Sequence, residues 1–315
     1  MTTALPRTRV ITQHRFGGPE VLEIEERERP VAGPGEILLR VRAVGVNAVD
    51  RLVRSGAAPL FGEPPFVLGG DVSGVVEAAG AGVTRFRPGD EVFGKVLGGG
   101  YAEHVAAPAD QFAAKPSTLD HVHAAAAPTA TLTAWQALVD LAQVGPGTRV
   151  LVHAAGGGVG HAAVQIAKAE GAYVVGTARA DKHEFLRDLG VDEPVDHTDT
   201  DFATAVRDMD VALDLIGGDY GPRTLNTLHP GGLLLSALPG DTGLSAEDVE
   251  ARGMRFAVVR VEPSGMRLAK IASLLAGGRV RIHVDAVLPF AEAAKAHELG
   301  EAGHTKGKIV LSLPE

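Results

Sequence analysis

The chain has 315 residues, 45% of them hydrophobic, which is enough for about two domains with a core each. Its formal net charge of -9 argues against a nucleic-acid partner, because phosphate binding needs a basic surface. It has no cysteine, which excludes disulfides, thiolate nucleophiles and cysteine-ligated zinc. Its twelve histidines lie mostly singly, without the paired spacing and third ligand that a metal site needs, so no metal is expected. No apolar run reaches the length of a membrane span. Met1-Thr-Thr-Ala-Leu-Pro-Arg7 carries no hydrophobic signal core, and a cytoplasmic location is expected.

The first 122 residues read as β-rich. Thr8–Gln13, Val21–Glu25 and Glu36–Arg42 alternate apolar and polar residues between the turns Gly17-Gly-Pro19 and Ala32-Gly-Pro-Gly35. Gly70–Glu77 and Glu91–Phe93 are further strands, with Pro88-Gly-Asp90 as a turn. Short strands at this spacing predict an antiparallel, barrel-like fold. The character then changes. Ala124 to Val144 reads as one helix with Trp135, Leu138 and Leu141 on a face. Strands and helices alternate after it: a strand at Val150–Val152, a strand at Tyr173–Thr177, a helix at Lys182–Leu189 and a strand at Val211–Ile216. A helix at Thr224–Leu228, strands at Gly232–Ala237 and Met254–Val261, and a helix at Gly265–Ala276 follow. This pattern predicts a doubly wound parallel sheet. The closing strand, Lys308–Leu313, is expected to return to the first domain. The domains are then residues 1–122 plus 283–315, and an inserted dinucleotide-binding domain of residues 123–282, with the ligand in the cleft between them.

The run Val150-Leu-Val-His-Ala-Ala-Gly-Gly-Gly-Val-Gly160 is the most specific signal. It reads as a buried strand, a glycine turn and a helix start, and the next strand follows at βαβ spacing. Gly157 is expected to turn the chain, Gly158 to admit a ligand close to the backbone, and Gly160 to let the helix lie tight on the sheet. Ala155 and Val159 complete the turn. The N–H groups and positive end of the helix suit a diphosphate. Strand Tyr173–Thr177 leads into Ala178-Arg-Ala-Asp-Lys182. An acidic residue here would hold the ribose diol of NAD; Arg179, with Lys182 nearby, suits the 2′-phosphate of NADPH. Asp181 leaves NADH as the alternative. Residues past the carboxyl ends of parallel strands line the ligand crevice, which singles out Thr177, Gly217-Gly218 and Ala237-Leu-Pro239.

Seven segments together resemble the medium-chain dehydrogenase/reductase superfamily, in its zinc-independent quinone oxidoreductase branch. They are Val44–Asp50, Gly69–Val76, Arg87–Gly94, Gly99–Glu103, Ala130–Trp135, Ala154–Gly160 and Thr305–Leu311. The resemblance implies a Rossmann domain inserted in a GroES-like one, and a dimer formed through edge strands of the cofactor-domain sheets. Zinc alcohol dehydrogenases of the superfamily place Cys where this chain has Asn47, and Gly-His-Glu where it has Gly69-Gly70-Asp71. Without zinc as a Lewis acid, the expected reaction is hydride transfer to an electron-poor acceptor, a quinone or an α,β-unsaturated carbonyl. Asn47 is the expected substrate or nicotinamide contact, and Arg54 a group that attracts a carbonyl oxygen. Asp50 is read either as orienting its loop or as capping a helix, and Asp71 as making fold-stabilising hydrogen bonds. The resemblance also points Thr131 and Thr133 at the cofactor, with helix capping as the other reading, and Lys308 at the diphosphate, with a surface lysine as the other. Related enoyl reductases use a Tyr after Asn-x-x-Asp; here Arg51–Pro59 has none, so the proton donor is open. Two other readings stand beside the first: an enoyl reductase on acyl thioesters, and a weakly catalytic NADPH-binding protein.

Overall fold

The computed structural model describes residues 6–58, 60–238 and 243–314. They form two compact units. The first comprises residues 1–129, 263–276 and 282–315, and the second residues 130–262 and 277–281.

The first unit opens with β1 (Arg7–Gln13), β2 (Glu23–Glu28), β3 (Glu36–Val46), β4 (Phe66–Val67), β5 (Asp71–Ala79), β6 (Glu91–Lys95), β7 (His104–Pro108) and β8 (Phe112–Ala114). Alternation makes the strands; Gly and Pro end them. In β3 the buried positions Ile37, Leu39, Val41 and Val44 join Val72 and Val76 of β5 in one core. Tyr101 and Phe112 are wholly buried in the same core. β3 pairs antiparallel with both β5 and β7.

The second unit holds β9 (Arg149–Val152), β10 (Tyr173–Ala178), β11 (Glu193–Asp196), β12 (Met209–Asp214), β13 (Leu228–Ser236) and β14 (Arg255–Val258). All six run parallel in the order β11-β10-β9-β12-β13-β14. This is the doubly wound Rossmann order, which reverses beside the first strand. Val150, Leu151 and Val152 are wholly buried, as a central parallel strand covered on both faces requires. The helix Gly160–Ala169 buries every residue from Gly160 to Ala167.

The chain closes in the first unit with β15 (Val284–Pro289) and β16 (Lys308–Ser312). β16 pairs antiparallel with β3, which ties the chain's end to its beginning. β15 and β16 pair parallel, so this sheet is mixed rather than purely antiparallel.

Two expectations are corrected. The helix read over Ala124–Val144 is three pieces, His121–Ala126, Pro128–Trp135 and a π-helical turn at Gln136–Leu141. Pro128 has no N–H to continue the first piece, and in the last Ala142 N–H reaches back five residues to Ala137 O. Leu138 is wholly buried, whereas Leu141 is 47% exposed, so they do not share an inward face. The helix Gly265–Ala276 belongs to the first unit and not to the dinucleotide domain. Gly265 lies so close to the backbone of Phe112 that a Cβ there would meet its carbonyl at 2.1 Å.

Candidate functional site

In the second unit the glycine turn stands between β9 and the helix Gly160–Ala169. Its left-handed residue is Ala154, with φ of 47°. Gly157 turns the chain without a positive φ: its N–H donates to Ala154 O at 2.9 Å. Gly160 is required by close approach. A Cβ there would stand 2.2 Å from Ala154 O and 2.8 Å from Ala155 Cα. Ala155 is buried and its N–H donates to Thr177 O, fastening the turn to β10. Gly157, Gly158 and Val159 are half-buried and form the open side of the turn. A dinucleotide diphosphate fits this cradle, which is built from backbone; a Cβ at Gly160 would collide with the turn that shapes it.

Arg179 is exposed just beyond β10, and Asp181 is exposed on the short helix Ala180–Lys182 that follows. Lys182 lies back over the turn, with its Cδ 3.1 Å from where a Cβ on Gly156 would be. Thr177 is wholly buried, and its hydroxyl pairs with His153 Nδ1 at 3.1 Å. The side chain expected at the ligand is therefore turned into the protein, beside the strand whose carbonyl holds the turn. His153 Nε2 pairs with Thr224 Oγ1 at 2.8 Å, and its ring packs against Phe202 and Tyr220. Burial, with Arg223 next in weight, lowers its pKa to about 3, so it is a neutral bridge in the core.

Asp214, at the end of β12, was not anticipated. Its Oδ1 accepts from the N–H groups of Ile216 and Gly217, and its carbonyl from Ala237 N–H. It thereby shapes both strand-end loops expected at the cofactor. Gly217 and Gly218 take φ of 79° and 61°, a region that glycine enters without penalty. Pro239, expected beside Ala237, lies outside the described residues. Thr131 and Thr133 are buried in the helix Pro128–Trp135, three or more residues past its start.

The first unit gathers a buried polar corner around Asn47. Asn47 precedes the helix Ala48–Ser55, and its N–H donates to Asp50 Oδ2 at 2.8 Å in a capping box. Its side-chain Nδ2 donates to Asp71 Oδ2 at 3.0 Å, and its Oδ1 accepts from Lys308. Asp71 is wholly buried, and its Oδ1 accepts from Thr129 N–H at 3.0 Å and from Thr129 Oγ1 at 2.6 Å. Lys95 Nζ donates to Thr129 Oγ1 at 3.1 Å.

Two expected roles do not survive this geometry. Lys308 is buried, with its ammonium held by Val46 O, Asn47 and, at 3.7 Å, Asp71, so it is not presented to a diphosphate. Burial lowers its pKa, while Asp71 and Asp50 oppose the shift. Arg54 is 3% exposed, and its guanidinium goes to Gly17 O, His297 Nδ1 and Glu301, so it does not face a substrate oxygen. Buried charges demand partners, and these two found theirs inside the unit.

A second chain of bonds leaves the same corner. Tyr101 hydroxyl pairs with His297 Nε2 at 2.9 Å. Burial, and then the neighbouring Asp50 carboxyl, push the phenol's pKa well above its usual value. Burial raises Asp50 to about 6, against the Asn47 N–H and with the repulsion of Asp71. Lys95, Thr129 and His297 carry no motif of their own, and Tyr101 lies in the segment Gly99–Glu103 without a role read from it. Lys95 ends a strand as an ordinary polar residue would, and His297 sits in a helix some 250 residues from Asn47 in the chain. Among the described residues no group of three His, Cys, Asp or Glu side chains is placed to hold a metal ion, and no helix is long and apolar enough to cross a membrane.

The chain matches an alcohol dehydrogenase GroES-like domain over residues 33–117 and a zinc-binding dehydrogenase family over residues 189–311. The quinone oxidoreductase of Sus scrofa is 33% identical, over 99% of this chain and all of that protein. The polyketide synthase component PikAII of Streptomyces venezuelae is 37% identical over 90% of this chain, which spans 8% of that protein. The crystal structure of Escherichia coli quinone oxidoreductase complexed with NADPH superposes with a TM-score of 0.90 at 29% identity, over 97% of this chain and all of that one. The protein is an oxidoreductase that uses a nicotinamide cofactor. Order of motifs, fold and full-length similarity agree: the chain belongs to the medium-chain dehydrogenase/reductase superfamily, in its zinc-independent, quinone oxidoreductase-like branch.

Proposed function

We propose that the protein reduces quinones or α,β-unsaturated carbonyls with NADPH, without a metal. The observation that carries the cofactor half is Arg179, exposed at the end of β10 where a ribose-binding carboxylate would exclude a 2′-phosphate. The backbone of Ala155, Gly157, Gly158, Val159 and Gly160 holds the diphosphate. Arg179 and Lys182 take the 2′-phosphate, and Gly217 and Ala237 border the nicotinamide. When bound, the reduced cofactor supplies a hydride. The chain's own work is to position the acceptor and to stabilise the charge that develops on it. Asn47 is the positioning contact, its amide held at both ends by Asp71 and Lys308.

The similarity to a segment of a polyketide synthase favours, as a second reading, an acyl thioester as the acceptor. Stopped-flow oxidation of NADPH and NADH against quinones, enones and acyl-CoA thioesters separates the two. Turnover of quinones or enones with NADPH supports the first reading. Turnover of thioesters alone overturns it, and NADPH binding without turnover on any of them points to a binding protein. We place the protein in the cytoplasm, as a homodimer formed through edge strands such as β14, which ends the six-stranded sheet. Light scattering on the purified chain tests the assembly.

A further inference from the structure

Lys95 is a buried cation whose role in the fold is not obvious. It is 8% exposed, and its ammonium donates to a neutral hydroxyl, that of Thr129. Among the described residues no carboxylate makes an ion pair with it. Asp71, which shares Thr129 with it, is already occupied, by Thr129 at one oxygen and by Asn47 and Lys308 at the other. Burying an ammonium whose direct contact is a neutral hydroxyl is costly, and such groups collect at functional sites.

Its position suggests what the charge serves. A Cβ on Gly70 would stand 3.1 Å from Lys95 Nζ. Gly70 is half-buried and has no side chain, so the ammonium fills the space that a side chain at this position would enter. Asn47 is likewise half-buried. A chain of bonds joins it to Lys95: Asn47 donates to Asp71, Thr129 donates to Asp71, and Lys95 donates to Thr129. With Lys308 the corner holds two ammonium groups against Asp71 and a second acid, Asp50.

We propose that Lys95 is a catalytic residue that receives the acceptor's carbonyl oxygen beside Asn47 and stabilises the oxyanion formed on reduction. The inference rests on the quinone or enone reading above. In that reaction a hydride, carrying two electrons from the reduced nicotinamide, forms a new C–H bond at the β-carbon of an enone. The π pair of the C=C bond shifts toward the carbonyl, and the negative charge appears on its oxygen. The cofactor is oxidised and the enone reduced. A proton from water then completes the product at the α-carbon, or at the phenolate oxygen when the acceptor is a quinone. A fixed ammonium opposite that oxygen gains strength as the charge develops, which is the condition for lowering a barrier rather than merely binding substrate.

The test uses the protein with NADP+ bound and 4-nitrophenol as the probe, a phenol whose ionisation is read directly from its absorbance. In the wild type the bound phenol should ionise at a pH below that of the free phenol. In Lys95→Met this lowering should disappear, and in Lys95→Arg part of it should return. Turnover in Lys95→Met should fall about 100-fold, the usual loss for one oxyanion donor, with dinucleotide affinity unchanged. Lys95→Gln, which retains a donor without the charge, serves if the Met variant does not fold. Unchanged phenol ionisation and turnover in Lys95→Met or Lys95→Gln overturn the proposal, as does failure of 4-nitrophenol to bind the wild type. If the wild type reduces neither quinones nor enones, the functional reading fails. The phenol titration still reports separately whether Lys95 stabilises an anion.

Discussion

Replacing Asp50 by Asn should stabilise the protein at neutral pH and remove one source of its pH dependence. Asp50 is 5% exposed, and burial raises its pKa from 3.8 to about 6. At 1.36 kcal/mol per unit, the ionised carboxylate costs the folded state about 3 kcal/mol relative to the unfolded chain. The folded-state pKa is raised, so the folded protein binds the extra proton between about pH 4 and 6. Its contribution to stability is present below about pH 4 and is lost as the pH rises through 6. Asn at this position keeps an oxygen for the Asn47 N–H that caps the helix Ala48–Ser55, and it has no charge to bury. Urea unfolding of both proteins, followed by circular dichroism at several pH values from 4 to 8, checks this. Taking the difference between the two at each pH cancels the groups they share. The variant should gain on the wild type by about 3 kcal/mol between pH 4 and 8. The two units need not unfold together, so the comparison belongs to the transition of the first unit. A difference that does not change with pH, or one that grows toward acid, would refute the reasoning.

Three further outcomes are expected. Gly160→Ala drives a methyl to 2.2 Å from Ala154 O, against backbone that cannot give way; fluorescence titration should show dinucleotide affinity reduced at least about tenfold, a loss of about 1.4 kcal/mol, and unchanged affinity would mean that the turn adapts. Arg179→Ala should raise the Michaelis constant for NADPH far more than that for NADH, and an equal effect on both would count against Arg179 as the 2′-phosphate ligand. His153 stays neutral to about pH 3 in the folded state, but takes a proton near 6.5 when unfolded. The second unit should therefore lose about 1.4 kcal/mol for each pH unit below 6.5; His153→Gln should flatten that acid limb by one proton, and an unchanged slope would show that the ring is not held neutral.

The glycine turn, the parallel strands and the return of the last strand were legible in the sequence because each is a local constraint. Gly160 cannot be anything larger, and a strand covered on both faces must read Val150-Leu-Val152. Periodicity misread Ala124–Val144 because a proline and a π-helical turn break a pattern that stays apolar throughout. Charge was the least legible feature. Arg54 and Lys308 read from the sequence as cations open to a carbonyl oxygen and to a diphosphate or solvent, yet both are buried, because acceptors far away in the chain, Glu301 for one and Val46 and Asn47 for the other, pay for their desolvation. The sequence alone determined that the chain holds a dinucleotide and lacks cysteine ligands for a metal. Only the tertiary structure decided what stands in that corner, since Asn47, Asp71, Lys95, Thr129 and Lys308 meet there from five separate segments. The strength of a charge depends on what lies within a few ångströms of it, and chain order does not record that distance.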